Sequence, residues 1–387
     1  MDDQDAKARV REAVEGKRDE LVELTSALVS ARSVTGNEKP AQDVVIARLE
    51  SMGLEPDVWE PDADALRGHP GFFETSSYVE QGYDGRPNVA ATVEGSGGGR
   101  SLALSGHVDV VPVDEGEWTY DPWDPVVEEG RLYGRGSNDM LGGVASVIVA
   151  AEALAETGVE LAGDLTVQTT VEEEDGGVGG VLSALERGYR PDAAIITEPS
   201  GLPDLGMASA GVMYFRVTVH GRSAHAAYAH DGVSAFGKAT EVYRALDDLD
   251  RERKARTDYE PAYRNDPAMA GHETNLNVGI VEAGDWPSTV PAEATMECRI
   301  GWPPGETREA VRQQVEDAVA AVAEADDWLA EHPPELEWYG WSAEPHELEV
   351  DHEFVGLVRE HAEGVTGGET TFTGGSGGND ERFYNLY

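Results

Sequence analysis

The stretch MLGGVASVIVAAEALAETGVELAGDLTVQTT, residues 140–170, decides the fold class of this chain. Its first part, 140–157, is small and apolar, which is typical of a buried helix, and 164–170 has the pattern of a strand. Apolar strands are also predicted before it at 102–105 and after it at 193–197. Strands that alternate with helices indicate an α/β domain, so we expect a mostly parallel sheet flanked by helices. The other elements predicted for this domain are a long amphipathic helix at 6–31, helices at 40–52, 178–187 and 353–366, and a strand at 88–93.

A different pattern begins near residue 208. The segment 212–220 alternates like a half-buried strand. The elements predicted after it are a helix at 233–249, strands at 274–282 and 294–300, and a helix at 307–325. Strand–helix–strand–strand–helix–strand is the order of a ferredoxin-like α+β module. We therefore expect an inserted domain at 208–342 within a first domain made of residues 1–207 and 343–387.

The composition excludes several classes of protein. The chain has 387 residues, of which 75 are acidic and 29 basic, so its formal net charge is −46. That charge repels phosphate backbones and argues against nucleic-acid binding. The chain has no apolar run long enough for a membrane span and no signal-peptide pattern at its start, which together predict a cytoplasmic protein. Cys298 is the single cysteine, which excludes an intrachain disulfide and a thiolate zinc cluster.

The acidic residues are scattered along the chain rather than gathered in a tail. So many carboxylates repel one another at low ionic strength, whereas molar salt shortens the Debye length to about 3 Å and screens them. The charge therefore predicts a halophilic protein from a cell with a salty interior. An ordinary acidic protein is the alternative.

Two polar motifs of the first domain contain groups that bind metals. In SGHVDVVP, residues 105–112, His107 and Asp109 are two apart and share a face of an extended segment. A metal-binding histidine commonly donates its other ring N–H to a carboxylate. In TTVEEEDGGVGG, residues 169–180, three glutamates follow a strand, where their repulsion needs a cation or a proton to relieve it. One of them could bind a metal and its neighbour could act as general base, or the run is a solvated loop.

Two single carboxylates add to this pattern. Asp139 precedes a glycine pair and a helix of small residues, where a carboxylate can bridge two cations or cap the helix. Glu198 follows an apolar strand, and ligands gather at strand ends in open α/β sheets. Each of these candidates has an ordinary alternative. Glu198 could be an exposed loop glutamate, and His107 could be a loop histidine beside a capping aspartate.

The inserted domain contributes two further candidates. Three histidines lie within HGRSAHAAYAHDGVSAF, residues 220–236, and His225 is placed in a turn that leads to a helix. In ECRIGWPPGET, residues 297–307, Arg299 is central in an otherwise apolar strand and needs an anionic partner. That partner could be a substrate carboxylate or an internal salt bridge.

The order and spacing of these motifs resemble the zinc-dependent amidohydrolase family of acetylornithine deacetylase, succinyl-diaminopimelate desuccinylase, aminoacylase and carboxypeptidase G. The resemblance runs from SVTGNE at residue 33 to the end of the chain, and the motifs that carry it are GHVDVVP, GRGSNDMLGG, EEEDGG, the strand-end EP and GRSAH. It implies a deacylase of N-acyl amino acids. A di- or carboxypeptidase and an inactive ligand-binding homologue are the alternatives.

The resemblance also implies a role for each candidate in the first domain. The implied ligands of two divalent ions are His107, Asp139, Glu174 and Glu198. Zinc is the expected metal, with cobalt or manganese as alternatives, and Asp139 would bridge the two ions. Glu173 resembles the general base and Asp109 the residue that orients the histidine ligand.

In the inserted domain, His225 resembles the histidine that reaches the partner's active site in dimeric relatives and polarises the scissile carbonyl. Arg299 resembles the arginine that receives the carboxylate of an N-acyl amino acid or short peptide. The resemblance thus implies a homodimer formed through a lid domain. Relatives carry a last metal-binding histidine beyond the segment that resembles TGGSGGNDERFYNLY, whereas this chain stops at Tyr387. We therefore expect either that the chain is truncated or that its second metal site is incomplete.

Overall fold

The computed structural model describes residues 3–114, 116, 118–199 and 201–387. It divides into two compact units: the first contains the residues up to Gly201 together with Phe383–Tyr387, and the second is Leu202–Arg382. The role of residues 208–342 as a separate lid and dimerisation domain stays a prediction. None of the described helices is both long and apolar enough to cross a membrane.

The strands of the first unit are β1 (Asp57–Trp59), β2 (Asn88–Val93), β3 (Leu102–His107), β4 (Val126–Glu128), β5 (Arg131–Tyr133), β6 (Leu165–Thr170) and β7 (Ala193–Ile196). Five of them form one sheet in the order β1–β2–β6–β3–β7, and β4 pairs with β5. Strands β6, β3 and β7 are parallel, β2 is antiparallel to β6, and β1 is antiparallel to β2. Four of the five strands therefore run in one direction, which confirms the predicted mostly parallel sheet.

The helices of the first unit are α1 (Asp3–Glu15), α2 (Arg18–Ser30), α3 (Lys39–Ser51), α4 (Ala63–Leu66), α5 (Ser76–Gln81), α6 (Leu141–Thr157) and α7 (Ser183–Arg187). The single helix expected at 6–31 is wrong, because the chain breaks between α1 and α2. Glycine is a poor helix former and stands at the break as Gly16. The next residue, Lys17, is buried and donates from Nζ to Glu156 of α6 at 2.8 Å. This contact and the glycine explain why one amphipathic pattern gives two helices.

Helix α6 is the central helix of the first core. Its apolar side chains are buried almost all round, as the sequence predicted, and they pack on β3, β6 and the first two helices. Gly106 of β3 allows the side chains of Met140 and Val144 to approach the strand closely. A Cβ atom at this position would lie 2.8 Å from Met140 Cε and 2.9 Å from Val144 Cγ2. The start of α6 is thereby held against the end of β3.

The strands of the second unit are β8 (Leu205–Ser209), β9 (Gly211–His220), β10 (Asn275–Ala283), β11 (Glu293–Trp302), β12 (Glu335–Ala343), β13 (His346–Glu347) and β14 (Phe372–Gly374). Its helices are α8 (Ala235–Arg256), α9 (Arg308–Ala325), α10 (Asp327–Glu331) and α11 (Glu353–Thr366), and α12 (Glu381–Tyr384) crosses the boundary of the two units.

The largest sheet of this unit has the order β10–β11–β9–β12 and is antiparallel throughout. Alternate side chains of β9 and β11 are buried in a core with α8 and α9, and Phe215 and Trp302 are fully buried there. The chain order β9–α8–β10–β11–α9–β12 confirms the predicted ferredoxin-like module. A smaller sheet, β13–β8–β14, completes the unit.

Candidate metal centre

Three parallel strands bring one histidine and several carboxylates to the same edge of the sheet. His107 ends β3 and is 1% exposed. Its Nε2 atom lies 3.3 Å from Asp139 Oδ1, 3.7 Å from Glu198 Oε1 and 3.9 Å from Glu173 Oε2. Glu173 follows β6, Glu198 follows β7, and Asp139 precedes α6. The carboxyl ends of parallel strands meet at one edge, which is why residues far apart in sequence converge here.

The donor atoms form two overlapping groups, each with all its atoms within 4.8 Å of one another. One group is His107, Asp139 and Glu174, and the other is His107, Glu173 and Glu198. Within the part of the chain that the structure describes, the buried Nε2 of His107 has no hydrogen-bond partner. A buried polar atom without a partner is costly, and a cation would provide that partner. Imidazole nitrogen with carboxylate oxygens is a donor set that fits a divalent metal.

The ring of His107 is oriented by Asp109, chiefly through the main chain. Its Nδ1 lies 2.8 Å from the carbonyl oxygen of Asp109 and 3.5 Å from the Oδ1 atom of its carboxylate. The sequence pointed to the carboxylate as the partner, whereas the shorter contact is with the carbonyl. A carbonyl can only accept, so Nδ1 carries a proton, and in the neutral ring the lone pair of Nε2 is directed at the carboxylates.

The carboxylate of Asp109 has a second set of partners that sequence reasoning missed. It accepts the backbone N–H groups of Glu173 at 3.0 Å and Glu174 at 3.1 Å, and the hydroxyl of Thr35 at 2.9 Å. Asp109 is fully buried. It therefore joins the histidine strand to the turn that carries the glutamates, a link for which the sequence offers no signal.

The charges of the site perturb one another. Burial raises the pKa of Glu174 to about 7, and the negative charges of Asp109 and Asp139 act in the same direction. Burial lowers the pKa of His107, but Asp109 and Asp139 outweigh it and hold that pKa well above its ordinary value. The ring of His107, whose Nε2 lies 3.3 Å from Asp139 Oδ1, lowers the pKa of Asp139. Protons on His107 and Glu174 would therefore compete with a cation bound at the same atoms.

Arg299 lies on β11 in the second unit, opposite Tyr214 of β9 and Asn277 of β10. Its side chain is half-buried, and burial lowers its pKa. Among the described residues no carboxylate lies within ion-pair distance of it. Arg216 on the same sheet differs, since its Nη2 pairs with Glu297 Oε1 at 3.0 Å. The internal salt bridge that the sequence left open for Arg299 is therefore not formed within the described chain.

His225, also in the second unit, is exposed and precedes a short turn of 3₁₀ helix at Ala226–Asp231. Its Nδ1 accepts the backbone N–H of Ala227 at 3.1 Å. A neutral ring that accepts at Nδ1 carries its proton on Nε2, so the outer nitrogen is a donor.

Comparison with known proteins gives the family. The model of peptidase family M20/M25/M40 matches residues 103–386, a stretch that contains every candidate residue. An N-formyl-4-amino-5-aminomethyl-2-methylpyrimidine deformylase of Halalkalibacterium halodurans is 31% identical over 85% of this chain and 74% of its own length. A succinyl-diaminopimelate desuccinylase of Methylobacterium radiotolerans is 30% identical over 94% of this chain and 86% of its own length.

Solved structures agree on the fold. Human carnosine dipeptidase 1 superposes with a TM-score of 0.74 at 16% identity, covering 98% of this chain and 89% of that one. A Bacillus subtilis protein described as a dinuclear metal-binding peptidase of the M20 family gives a TM-score of 0.57 at 17% identity, covering 96% of this chain and 86% of that one. The family model matches most of the residues of this chain. The chain therefore belongs to peptidase family M20/M25/M40, whose members are metal-dependent enzymes that hydrolyse amide bonds.

Proposed function

We propose that this enzyme removes the acyl group from N-acyl amino acids at a centre of two divalent ions. The observation that carries the proposal is the buried Nε2 atom of His107, which has three carboxylates within 3.3–3.9 Å and no hydrogen-bond partner among the described residues. The proposed ligands are His107, Asp139, Glu174 and Glu198. We propose zinc as the metal, although cobalt and manganese suit the same donors.

Divalent ions held there would lower the pKa of a coordinated water and polarise the scissile carbonyl. We assign the proton transfers to Glu173, which takes a proton from the attacking water and returns it to the leaving amine. Its side chain is almost fully buried and lies 3.9 Å from His107 Nε2, and its backbone N–H is held by Asp109. A base fixed in this way needs little reorganisation during the reaction. The same position would also allow Glu173 to be a metal ligand, since its oxygen belongs to one of the two donor groups.

We assign recognition of the substrate carboxylate to Arg299. A half-buried guanidinium with no ion pair in the described chain retains its donors for an external anion, and its planar fork matches a carboxylate. We assign stabilisation of the developing oxyanion to His225, whose Nε2 is a donor.

We also propose a homodimer formed through residues 208–342. Strand β10 is an edge strand, and its Ile280 and Val281 are 53% and 51% exposed. Helix α8 exposes Phe236 and Tyr243 to a similar extent. An edge strand with exposed apolar side chains is a surface suited to pairing with another chain. The net charge of −46 supports the further proposal of a cytoplasmic enzyme adapted to high salt.

A second candidate activity is deformylation of an N-formyl aminomethyl heteroaromatic compound. The deformylase of H. halodurans gives this candidate, and a cavity in the first unit favours it. The cavity has a volume of about 550 Å³, and its aromatic lining residues are Trp118, Tyr120 and Tyr133. Its wall includes Ser137, two residues from Asp139. Aromatic walls suit a flat ring.

A hydrolysis screen in concentrated KCl tests these assignments. The substrates are N-acetylornithine, N-succinyl-diaminopimelate, the N-formyl aminomethylpyrimidine and a set of dipeptides, each with and without a chelator. We expect the highest kcat/KM with an N-acyl amino acid, loss of activity with chelator and its return with added zinc. Preference for the pyrimidine would select the second candidate, and preference for dipeptides would make the enzyme a peptidase. Absence of hydrolysis with every substrate would favour a ligand-binding homologue.

A further inference from the structure

Glu172 is the first of the three consecutive glutamates, and the proposed mechanism leaves it without a role. Its side chain is fully buried. Its backbone has φ of +70°, in the left-handed region that costs a residue with a Cβ atom free energy. Such a conformation persists only where the surroundings hold it in place.

The carboxylate of Glu172 is held by four hydrogen bonds. Its Oε1 atom accepts the hydroxyls of Thr75 at 2.6 Å and Ser77 at 2.9 Å. Its Oε2 atom accepts the hydroxyl of Tyr83 at 2.9 Å and the backbone N–H of Gly179 at 2.8 Å. Four donors saturate the lone pairs of a carboxylate. Because hydroxyls can also accept, a carboxamide of the same shape would place its NH2 group either against the backbone N–H of Gly179 or, on the side of Thr75 and Ser77, beside the guanidinium of Arg86.

A buried arginine connects Glu172 to a second buried glutamate. Arg86 is 1% exposed, and its Nη1 lies 3.5 Å from Glu172 Oε1. Its Nε and Nη2 atoms donate to the two carboxylate oxygens of Glu38 at 2.9 and 2.7 Å, and Glu38 is fully buried. Removing one member of a buried ion group leaves the others uncompensated, which makes such groups rigid.

This buried network ends at the turn that carries the active-site glutamates. The carbonyl oxygen of Glu172 accepts the backbone N–H groups of Asp175 at 3.2 Å and Gly177 at 2.7 Å, which closes the turn. The backbone N–H groups of Glu173 and Glu174 are held by Asp109. The turn is thus held by the side chain of Glu172 and by the carboxylate of Asp109, and its Asp175 accepts the backbone N–H of Ser77 at 2.6 Å.

We propose that Glu172 is a positioning residue, whose buried carboxylate, fixed by Arg86 and three hydroxyl groups, holds the turn in the conformation that presents Glu173 and Glu174 to the metal centre. The inference rests on the proposed function, because it requires those two glutamates to act at bound metal. Glu172 itself touches neither metal nor substrate in this account.

The test is Glu172→Gln in the full-length protein, examined with cobalt as the metal probe. Partners behind the ligands of a metal site commonly contribute about 10- to 100-fold to metal affinity or activity. We expect the cobalt Kd to rise and kcat to fall by factors of that order, with KM nearly unchanged. We also expect the visible absorption spectrum of the cobalt protein to change, because the ligand geometry at the ion changes. A purely structural role would lower Tm and leave that spectrum unaltered.

Glu306→Gln is the matched control. Glu306 pairs with Arg253 of the second unit, which is fully buried, through contacts of 3.0 and 3.2 Å. Glu306 itself is half-buried, so this control removes one charge from the partner of a buried arginine outside the network of Glu172. We expect a loss of Tm, with the cobalt Kd and spectrum of the wild type.

A folded Glu172→Gln protein with the wild-type cobalt Kd, spectrum and kcat would overturn the inference. If that variant does not fold, Tyr83→Phe decides the matter, because it removes a single hydroxyl from Glu172 and keeps the ring. A smaller change of the same kind in Tyr83→Phe would support the inference, and an unchanged cobalt spectrum would overturn it. A wild-type protein that binds no cobalt would overturn the proposed function and this inference with it. A wild type that binds cobalt, together with a variant whose cobalt site is unchanged, would overturn this inference alone.

Discussion

His107 is the residue on which the centre is built, and its position explains why much of the site could be predicted from sequence. Polar residues that directly follow apolar strands stand out in the sequence, and parallel strands place them at one edge. His107 and Glu198 are such residues, and the structure brings both together with Asp139. Their roles as metal ligands remain a prediction.

Two features of the centre could not be predicted from the sequence: the role of Glu172 and the partners of Asp109. A run of three identical glutamates has no periodicity that tells the residue turned away from the metal centre from the two turned toward it, so Glu172 gave no signal. The partners of Asp109 depend on the path of a distant turn, which brings the backbone of Glu173 and Glu174 to it. Contacts of a side chain with the main chain of another segment leave no mark in local sequence.

Glu173→Gln separates the two roles open to that residue. A glutamine keeps the shape of the side chain but cannot take up a proton, so we expect kcat to fall by about 10²- to 10⁴-fold. We expect the bound metal, counted by mass spectrometry, to stay at the wild-type level. Loss of one ion per chain would instead make Glu173 a ligand, and wild-type turnover would contradict the base assignment.

Arg299→Ala tests the recognition of the substrate carboxylate. Loss of a hydrogen bond between charged groups costs about 1.5–3 kcal/mol, which is about a 10- to 100-fold rise in KM for an N-acyl amino acid. The corresponding amide without a carboxylate should show no such rise. Arg216→Ala is the control, because it removes an arginine of the same sheet that is already paired with Glu297. Equal effects of both variants on the two substrates would contradict the assignment.

At the scale of elements, regular apolar patterns gave accurate predictions, and glycines caused the errors. Helix α11 has the bounds that its pattern predicts, 353–366. The helix expected at 178–187 is helical in the ordinary sense only from Ser183, because Gly180 has φ of −86° and ψ of −106°. A Cβ atom at Gly179 would lie 2.4 Å from Tyr83 Cε1, so this segment is shaped by its packing around Glu172 rather than by helix propensity.

Gly143→Ala tests how α6 supports the metal centre. Alanine normally stabilises a helix relative to glycine, but a Cβ atom here would lie 2.3 Å from the carbonyl oxygen of Thr197, the residue before Glu198. Overpacking of this kind costs about 1–3 kcal/mol. We expect a lower Tm and weaker zinc binding, because α6 and the end of β7 must separate.

Gly364→Ala in α11 is the matched control, since no atom of the described residues outside the glycine's chain neighbours and the nearby backbone of its own helix lies within 4 Å of the position of its Cβ. We expect its Tm to be unchanged or higher and its zinc affinity to be that of the wild type. A Gly143→Ala protein that behaves like this control would show that the contact of α6 with Thr197 does not support the site.

At the scale of the whole molecule, the net charge could be read directly from the sequence. Its effect on thermal stability has to be measured in solution. We expect Tm to rise steadily when KCl is raised from about 0.1 M to about 3 M, because the Debye length shortens from about 10 Å to a few ångströms. The net charge of −46 makes the unscreened repulsion large. Sucrose, which stabilises proteins by exclusion without screening charge, is the control. Equal Tm values at both KCl concentrations would contradict adaptation to salt.

The most direct test of the account is the number of metal ions bound per chain in the wild type and in His107→Ala. The measurement is mass spectrometry of both proteins after equilibrium dialysis against zinc in concentrated KCl. We expect the wild-type chain to bind zinc, with two ions per chain where the second site is complete, and His107→Ala to show a clear loss, because His107 belongs to both donor groups. A wild-type chain without bound metal, or a His107→Ala chain with the full complement, would contradict the account.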